Sequence, residues 1–161
     1  MKTTIIEKRI SLEPKYLHHN ILDSLLSKIK EETENECNKL HGHILSINKI
    51  VEITNHEISR LNTNNIFQIK FEANTLKPEP DSILEGEVCM IYKDGIFISV
   101  MNKQNVLIPT MYLQDYIYDE IQDNYKHKTT IDTIKEGDTI RVKITASQYN
   151  KNNFSCFGSI V

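Results

Sequence analysis

The side chains that could hold a metal ion are scattered along the 161-residue sequence. His18 and His19 are adjacent at the predicted start of a helix, where neighbouring side chains point about 100° apart and cannot easily share one ion. His41 and His43 could lie on one side of a strand, but no third ligand is in register with them. We therefore expect neither a metal site nor another cofactor.

Motifs for covalent or phosphate chemistry are equally hard to assemble. Cys37, Cys89 and Cys156 are far apart and contain no CxxC pair, a pattern typical of buried thiols in a reducing compartment. The five glycines form neither a P-loop nor a GxGxxG motif, and no Ser/His/Asp or Cys/His arrangement is found. The acidic pair Glu85 and Glu87 is more typical of a solvated surface than of acid–base catalysis. The sequence therefore predicts no intrinsic catalytic activity.

A binding surface has better support than an active site. Apolar residues between positions 140 and 146 alternate with Arg141 and Lys143, so the two cations project from the opposite face of a strand. The same alternation places Phe97 on the outer face of an earlier strand. Such an arrangement suits single-stranded nucleic acid, because bases stack on the ring and cations attract the phosphates. The alternative is that Phe97 packs under residues 110–136 and the cations only solubilise their strand. The predicted RNA-binding residues are Phe97, Lys103, Arg141 and Lys143.

Net charge limits the kind of nucleic acid that this surface could hold. The formal net charge is −3, and residues 82–161 carry a net −2 from eight Lys and Arg against ten Asp and Glu. A duplex DNA-binding domain is normally strongly basic, so that class is excluded. We expect weak, steeply salt-dependent binding to single-stranded RNA through a local basic patch.

The strand pattern after residue 82 predicts the element that positions these side chains. Five short alternating segments occur, with an Asp94-Gly95 hairpin turn after the first. Between the third and the fourth, residues 110–136 are polar, and we expect a short helical turn and a mobile loop there. This profile predicts an all-β, five-stranded OB-fold barrel over residues 82–161. The five segments are residues 84–92, 96–101, 106–108, 140–146 and 154–160.

The first half of the sequence predicts an α+β domain. An apolar stripe with i, i+4 spacing after Pro14 indicates a helix that ends near residues 35–38. Segments with two-residue alternation indicate strands, and a bulge or turn is expected near Asn48. One helix on a small antiparallel sheet is the economical arrangement for residues 1–78. Residues 55–65 are rich in Asn and are expected to form an exposed loop. The predicted strands are residues 4–12, 45–53 and 67–73.

A proline-rich segment separates the two patterns. Pro78 and Pro80 remove backbone donors and favour extended conformations in the preceding residues, so we place a domain boundary between residues 78 and 82. The apolar runs are too short to cross a bilayer, and the N-terminus lacks the apolar segment of a signal peptide. We therefore expect a soluble intracellular protein without a membrane partner.

Several short motifs occur in a defined order along the chain. They are Ile10-Ser11-Leu12-Glu13-Pro14, Glu36-Cys37, Gly42-His43-Ile44-Leu45, Phe71-Glu72-Ala73-Asn74-Thr75-Leu76-Lys77-Pro78, Glu85-Gly86-Glu87-Val88, Gly95-Ile96-Phe97, Arg141-Val142-Lys143-Ile144 and Phe157-Gly158-Ser159-Ile160.

This order of motifs resembles the stalk subunit of multisubunit DNA-directed RNA polymerases, a family that includes the seventh subunit of eukaryotic RNA polymerase II and its archaeal counterpart. Residues 38–40 lack a family glycine and residues 74–76 lack a family aromatic. Together with the Ile, Asn and Lys bias and the end at Val161 without the tail of many members, these departures suggest a divergent, virus-encoded member.

The resemblance implies a non-catalytic subunit with three contacts. The tip of the N-terminal domain would dock on the polymerase core, and the barrel would contact nascent single-stranded RNA. A second stalk subunit would pair with the first strand through Ile5 and Ile6, because an unpaired strand edge invites pairing. The location would be the nucleus for a cellular protein and the cytoplasm or the virion for a viral one. The predicted core-docking residues are Asn62, Thr63, Asn64 and Asn65.

Two other classes of function are compatible with parts of the pattern. A free-standing OB-fold RNA-binding factor, acting in translation or RNA decay, would use the same barrel and join its first domain to another assembly. A nuclease on this scaffold would need a metal-binding carboxylate cluster, which the sequence does not provide. The proteins that co-purify with the native chain would separate the polymerase subunit from the free-standing factor.

Overall fold

The computed structural model describes residues 2–17 and 20–161. Within it the chain divides into two compact units, Met1–Lys77 (unit 1) and Pro78–Val161 (unit 2). No helix among the described residues is long and apolar enough to cross a membrane. Each unit has its own sheet, and the two are described separately.

Unit 1 is an antiparallel sheet with one helix packed on it. The sheet has four strands in the order β1-β4-β3-β2, and α1 contacts β1 and β3. This arrangement confirms the predicted α+β architecture. The elements are β1 (Lys2–Leu12), a 3-10 turn (Pro14–Tyr16), α1 (Ile21–Thr33), β2 (Cys37–Asn38), β3 (Gly42–Ile58) and β4 (Asn65–Leu76).

The core of unit 1 lies between α1 and the sheet. Leu25 and Ile29 are one helical turn apart on the same face of α1, and both are fully buried. They belong to one apolar cluster with Ile10 of β1 and Ile69 and Phe71 of β4. Burying each such side chain contributes about 1.5–3 kcal/mol, so this contact holds the helix on the sheet.

The loop predicted for residues 55–65 is shorter than expected. β3 and β4 remain paired as far as Ile58 and Asn65, so only residues 59–64 form the turn. The polar composition of this segment reflects exposed strand ends, because residues 51–58 are exposed along their whole length. The Asn-rich composition therefore correctly predicted that this segment is exposed. The prediction that the whole segment is a loop was wrong, because residues 55–58 belong to β3.

Bulges decide which side chains of β3 face the core. Its pairing with β4 shifts after Ile44, Ile47, Ile50 and Ile53, so three residues of β3 lie opposite two of β4. Ile44 and Ile47 are buried and Ile50 packs against the core cluster. The alternation placed Val51 and Ile53 on the face of Ile47, but Val51 is 50% exposed. Each bulge adds a residue and reverses the parity of the residues after it.

Unit 2 contains a closed five-stranded barrel. The strand order is β11-β12-β7-β6-β5, and all its pairs are antiparallel except β12 with β7. This confirms the predicted OB-fold barrel. The barrel strands are β5 (Ile83–Tyr92), β6 (Gly95–Val100), β7 (Gln104–Pro109), β11 (Thr139–Asn150) and β12 (Asn153–Ile160).

Alternate side chains of every barrel strand fill the interior. The fully buried residues include Ile96 and Ile98 of β6, Val106 and Ile108 of β7, and Ile144 of β11. The strands approach closely where glycines face inward: a Cβ on the β12 glycine would lie 2.5 Å from the Val142 side chain. The outward residues of the same strands are therefore fixed by this packing.

The segment between β7 and β11 is a small folded sheet. We expected a short helical turn and a mobile loop, and the 3-10 turn Thr110–Tyr112 is present. The rest forms the antiparallel strands β8 (Tyr116–Asp119), β9 (Asn124–His127) and β10 (Thr133–Ile134). Tyr125 is buried, and its hydroxyl donates hydrogen bonds to the carbonyls of Tyr92 and Lys93. These strands are too short for their alternation to stand out among polar residues.

A buried amide supports the parallel pair that closes the barrel. Gln104 is 1% exposed, and its Nε2 donates to the carbonyls of Phe154 (2.7 Å) and Asn105 (2.8 Å). We predict that Gln104→Met, which keeps the volume and removes the donor, lowers the free energy of unfolding by about 1–3 kcal/mol. Urea unfolding followed by tyrosine fluorescence measures this, because six of the seven tyrosines lie in unit 2 and the chain has no Trp.

The matched control for this prediction is Gln114→Met, which changes an exposed glutamine of the same unit. It should leave the unfolding midpoint unchanged. Equal midpoints for wild type, Gln104→Met and Gln114→Met would show that the two hydrogen bonds contribute nothing to closure.

Candidate nucleic-acid interface

Four apolar side chains form a continuous row on the outside of the barrel. The strand register places Met90 of β5 opposite Phe97 of β6, Phe97 opposite Leu107 of β7, and Leu107 beside Phe157 of β12. Met90 is 51% exposed and Phe157 45% exposed, while Phe97 and Leu107 are half-buried. We call these four residues the ring row. It offers two aromatic faces to solvent.

A third ring lies at one end of the ring row. Tyr92 contacts Phe97 edge to face, with ring centroids 5.9 Å apart, and is 49% exposed. Its hydroxyl donates to the Met90 sulfur at 2.9 Å. The tyrosine therefore fixes the orientation of Phe97 and adds an aromatic surface beside it.

A row of polar side chains runs beside the ring row, two residues further along the strands. Ser99 of β6 pairs with Asn105 of β7, and Ser155 of β12 pairs with Gln148 of β11. The parallel register of β7 and β12 places Ser155 beside Asn105. All four face outward, with Asn105, Gln148 and Ser155 exposed. We call these four residues the polar row.

Apart from β5, the strands that carry the ring row and the polar row contain no acidic residue. Residues 95–114 and 139–161 contain no Asp or Glu. Unit 2 as a whole has eight Lys and Arg against twelve Asp and Glu, but every one of those acids lies in residues 78–94 and 115–138. The strands β6, β7 and β12 and the end of β11 therefore contribute no charged side chain to this face, although the unit is net negative. Lys103 and Lys151 lie in the turns at its end, and the exposed Glu87 of β5 pairs with Ser99 at its edge.

The structure separates Phe97 from Arg141. Both side chains face outward, Phe97 half-buried and Arg141 exposed. However, β5 pairs Phe97 with Met90 and Arg141 with Glu85, which are five residues or about 17 Å apart along the strand. The adjacency implied by the alternation is therefore wrong, because alternation fixes the face of each strand but not its register.

The other predicted cations lie nearer to the edges of the rows. The Lys143 Nζ is 3.9 Å from the Asp81 carboxylate, and its Cα pairs with Ser159 of β12. Lys103 lies in the turn between β6 and β7. The hydrogen bond from Gln104 to the Phe154 carbonyl brings this turn next to the β11–β12 hairpin that carries Lys151. Lys103 and Lys151 thus stand at one end of the polar row.

Phe157 is the residue that the sequence reasoning missed. It lies between Cys156 and Gly158, both buried, and two residues from Ser159, the partner of Lys143. Phe157 therefore lies between Leu107 of the ring row and Ala146 of β11. The alternation of the last strand could have predicted its outward position, because a buried Cys156 puts the next residue on the opposite face.

The predicted docking residues of unit 1 lie at the tip of the β3–β4 hairpin. Asn62 and Thr63 are exposed and Asn64 is half-buried. Asn65 is only 7% exposed, and its Oδ1 is 2.7 Å from the Nε2 of His56. Asn65 therefore stabilises the hairpin from inside. Next to these polar residues the tip presents two exposed apolar side chains, Ile58 (68%) and Leu61 (95%).

The predicted partner-contact pair on β1 points in two directions. β1 is the edge strand of its sheet, paired only with β4. Ile5 is 49% exposed, whereas Ile6 is 7% exposed and belongs to the core cluster. Only Ile5 presents its side chain to solvent, because consecutive residues of a strand face opposite sides.

The structure gives no metal-binding arrangement among the described residues. No group of three or more His, Cys, Asp or Glu side chains in residues 2–17 and 20–161 is placed to hold an ion. His43 is buried on β3 and His41 half-buried beside it. His18 and His19 lie outside the described residues.

Comparison with known proteins finds similarity to a domain family, to curated relatives and to solved structures. Residues 77–156 match the S1 RNA-binding domain. The chain is 24% identical over 158 residues to the DNA-directed RNA polymerase II subunit RPB7 of Glycine max, covering 97% of this chain and 89% of that protein. It is 23% identical over 153 residues to RPB7 of Saccharomyces cerevisiae, covering 94% and 90%. The solved structure of Mycoplasma genitalium RNase R matches 51% of this chain and 13% of its own, with 19% identity and a TM-score of 0.43.

Because Phe157 faces outward, the thiol of the neighbouring Cys156 faces inward and is less reactive. Cys156 faces the barrel interior at 5% exposure, and this burial raises the pKa of its thiol to about 11. Below pH 9 the thiolate fraction of Cys156 is therefore on the order of a hundredfold below that of an unperturbed thiol. We predict that iodoacetamide at pH 8 leaves Cys156 unmodified in the native protein and alkylates it after unfolding in urea.

Peptide-resolved mass spectrometry measures this labelling. The urea-unfolded chain is the internal reference, because the same peptide then carries an ordinary thiol. Rapid labelling of native Cys156 at pH 8 would mean that β12 is turned over and that Phe157 faces inward.

Proposed function

This chain is a homologue of the seventh subunit of RNA polymerase II with an S1 RNA-binding domain, and on that premise we propose that it is the non-catalytic stalk subunit of a DNA-directed RNA polymerase. In this role the protein does no chemistry of its own. Unit 1 attaches to the polymerase core, and the barrel of unit 2 holds nascent single-stranded RNA.

The extent of the homology is the observation that carries the proposal. An S1 domain over residues 77–156 alone would fit a free-standing RNA-binding factor equally well. The match to RPB7 extends over 97% of the chain and therefore includes unit 1, which has no part in the S1 domain. A free-standing factor in translation or RNA decay has no comparable support from unit 1.

The outer face of the barrel supports RNA binding. The ring row and Tyr92 offer aromatic surfaces on which bases can stack, and stacking tolerates any sequence. Because residues 95–114 and 139–161 contain no acid, β6, β7 and β12 place no carboxylate against phosphates, although unit 2 is net negative. Phe97 supplies a ring, Phe157 extends the platform, and the cations supply attraction at its edges. Lys103, Lys143 and Lys151 lie at those edges, and Arg141, about 17 Å from Phe97 along the strand, would contact phosphates further along the RNA.

The hairpin tip of unit 1 supports docking on the core. Protein interfaces are typically apolar at their centre and polar at their rim. Ile58 and Leu61 could form such a centre, because they are highly exposed, and Asn62, Thr63 and Asn64 surround them. Asn65 positions the tip through its contact with His56.

A second stalk subunit would fit the free edge of β1. This strand has eleven residues, pairs with β4 without a bulge and exposes Ile5. A regular, unpaired edge can accept another strand. The cellular location follows from the enzyme served: the nucleus for a eukaryotic RNA polymerase II subunit, and the cytoplasm or the virion for a viral enzyme.

RNA binding is tested by removing the rings. We predict that Phe97→Ala and Phe157→Ala each weaken the binding of a single-stranded RNA 12-mer by about 1–3 kcal/mol, because each removes one stacking surface. Fluorescence anisotropy at fixed salt measures the dissociation constant. Tyr16→Ala, which removes a 46% exposed ring from unit 1, is the control and should bind as wild type does. Unchanged affinity in both Phe variants would contradict the proposal.

The cations are tested through salt. The slope of log affinity against log salt concentration is negative, because each phosphate contact releases counterions. We predict that Arg141→Ala with Lys143→Ala makes this slope shallower by about 1.4, the effect of losing two phosphate contacts on a single strand. Anisotropy titrations at four salt concentrations give the slope. An unchanged slope would mean that these two side chains do not contact phosphate.

Core docking is tested with a matched pair of leucines. We predict that Leu61→Ser abolishes recovery of the large polymerase subunits with the affinity-tagged chain, because a polar side chain replaces the centre of the interface. Leu40→Ser changes another exposed leucine of unit 1 (72%) and should leave recovery intact. Equal recovery with both variants would exclude the hairpin tip as the docking element.

A further inference from the structure

One residue of the hairpin tip in unit 1 has a backbone conformation that its own side chain disfavours. Thr63 is exposed and has a φ of 60°, in the left-handed region. Among the described residues, eight other than glycine have a positive φ, and five of these are Asn or Asp, which adopt this conformation most readily. Thr63 is the one β-branched residue among the eight, and its branched side chain makes the conformation costly. The tip therefore holds backbone strain at an exposed position.

Hydrogen bonds on both sides of Thr63 hold this conformation. The backbone amide of Asn64 donates to the Asn62 Oδ1 at 3.2 Å, so the side chain of Asn62 spans the strained residue. The Asn64 Nδ2 donates to the Ser11 Oγ of β1 at 3.3 Å, and the Asn64 carbonyl accepts from the Ser59 amide at 2.8 Å. A disfavoured backbone conformation persists only where its surroundings fix it in this way. Stability of the turn alone would favour Asn or Gly at this position.

The strained residue lies two positions from the most exposed apolar side chain of the described part of unit 1. Leu61 is 95% exposed, and its backbone amide donates to the Ser59 Oγ at 3.2 Å. Leu61 therefore lies between two fixed points, the hydrogen bond that joins Ser59 to Asn64 and the turn at Thr63. The direction of the chain at Thr63 decides where the Leu61 side chain points.

We propose that Thr63 is a positioning residue for docking, whose left-handed backbone holds Leu61 at the apex of the hairpin tip for contact with the polymerase core. The proposal rests on the core-docking function proposed above and adds that the tip is formed before it binds. A preformed contact avoids the entropy cost of ordering a loop on binding. Thr63 therefore acts through Leu61.

The test measures the affinity of the full chain for polymerase core that lacks this subunit, by biolayer interferometry. Thr63→Pro fixes φ near −65° and excludes the observed conformation, so it should weaken docking at least about tenfold. Thr63→Gly permits this conformation among many others and should weaken docking about two- to fivefold. Thr63→Asn favours the conformation and should dock within about twofold of wild type.

The same variants separate positioning from folding. Residue 63 lies outside the paired strands β3 and β4, so all three variants should keep the circular dichroism spectrum of wild type. Thr63→Asn should raise the thermal midpoint by at least about 2 °C, because it removes the strain. Thr63→Gly should leave the midpoint within about 2 °C of wild type, because the relief of strain offsets the added chain entropy. Weaker docking without loss of stability then reports on the conformation of the tip.

A double-mutant cycle measures whether Thr63 acts through Leu61. Leu61→Ala alone should weaken docking about tenfold, because it removes an apolar anchor. Thr63→Pro should weaken docking of the Leu61→Ala variant by less than about twofold, because the side chain that it positions is then absent.

The outcomes distinguish failure of the positioning role from failure of core docking. The positioning role is overturned by wild-type affinity of the Thr63→Pro variant, by an equal effect of Thr63→Pro with and without Leu61→Ala, or by an unchanged midpoint of Thr63→Asn. Where Leu61→Ala still weakens docking, these results leave core docking by the tip in place. Wild-type affinity of the Leu61→Ala variant overturns both proposals.

Discussion

Closure of the five-stranded barrel is the constraint on which the rest of unit 2 depends. Once the apolar residues of every strand fill the interior, the outward set is fixed, and the register then aligns Phe97, Leu107 and Phe157 across three strands. The parallel pairing of β12 with β7 closes the barrel, and it places the last strand next to the third strand of the barrel. Without it, Phe157 would not lie beside Leu107.

Charge is segregated along the chain in the way that this surface requires. The acids of unit 2 lie in residues 78–94 and in the segment that contains the β8–β10 sheet, and β6, β7, β11 and β12 carry none. Net charge therefore does not describe this surface: a net negative unit has a face whose strands β6, β7 and β12 carry no acid. On the proposed function, the same segregation would favour RNA on the side of the barrel formed by β6, β7, β12 and the end of β11.

The sequence predicted most strands of the barrel well, but it did not predict which residues of different strands lie next to each other. Alternation located the barrel strands and the outward faces of Phe97, Arg141 and Lys143, because burial of one strand face leaves a two-residue signal. It could not place Phe97 relative to Arg141, since register depends on hydrogen bonds between distant residues. The bulges of β3 hid the exposure of Val51, and the four-residue strands around Tyr125 were too short to recognise. The order of family motifs, in contrast, carried functional information that no single element contained.

The most direct test of the account is the chemical-shift map of the isotope-labelled chain titrated with a short single-stranded RNA. The central claim is that the acid-free face of the barrel holds the transcript in a polymerase stalk. The account predicts that the largest amide shifts fall on β6, β7 and β12, around Phe97, Leu107 and Phe157, with residues 115–138 unaffected. Shifts concentrated on β5 or on the β8–β10 sheet, or no shifts at saturating RNA, would contradict it.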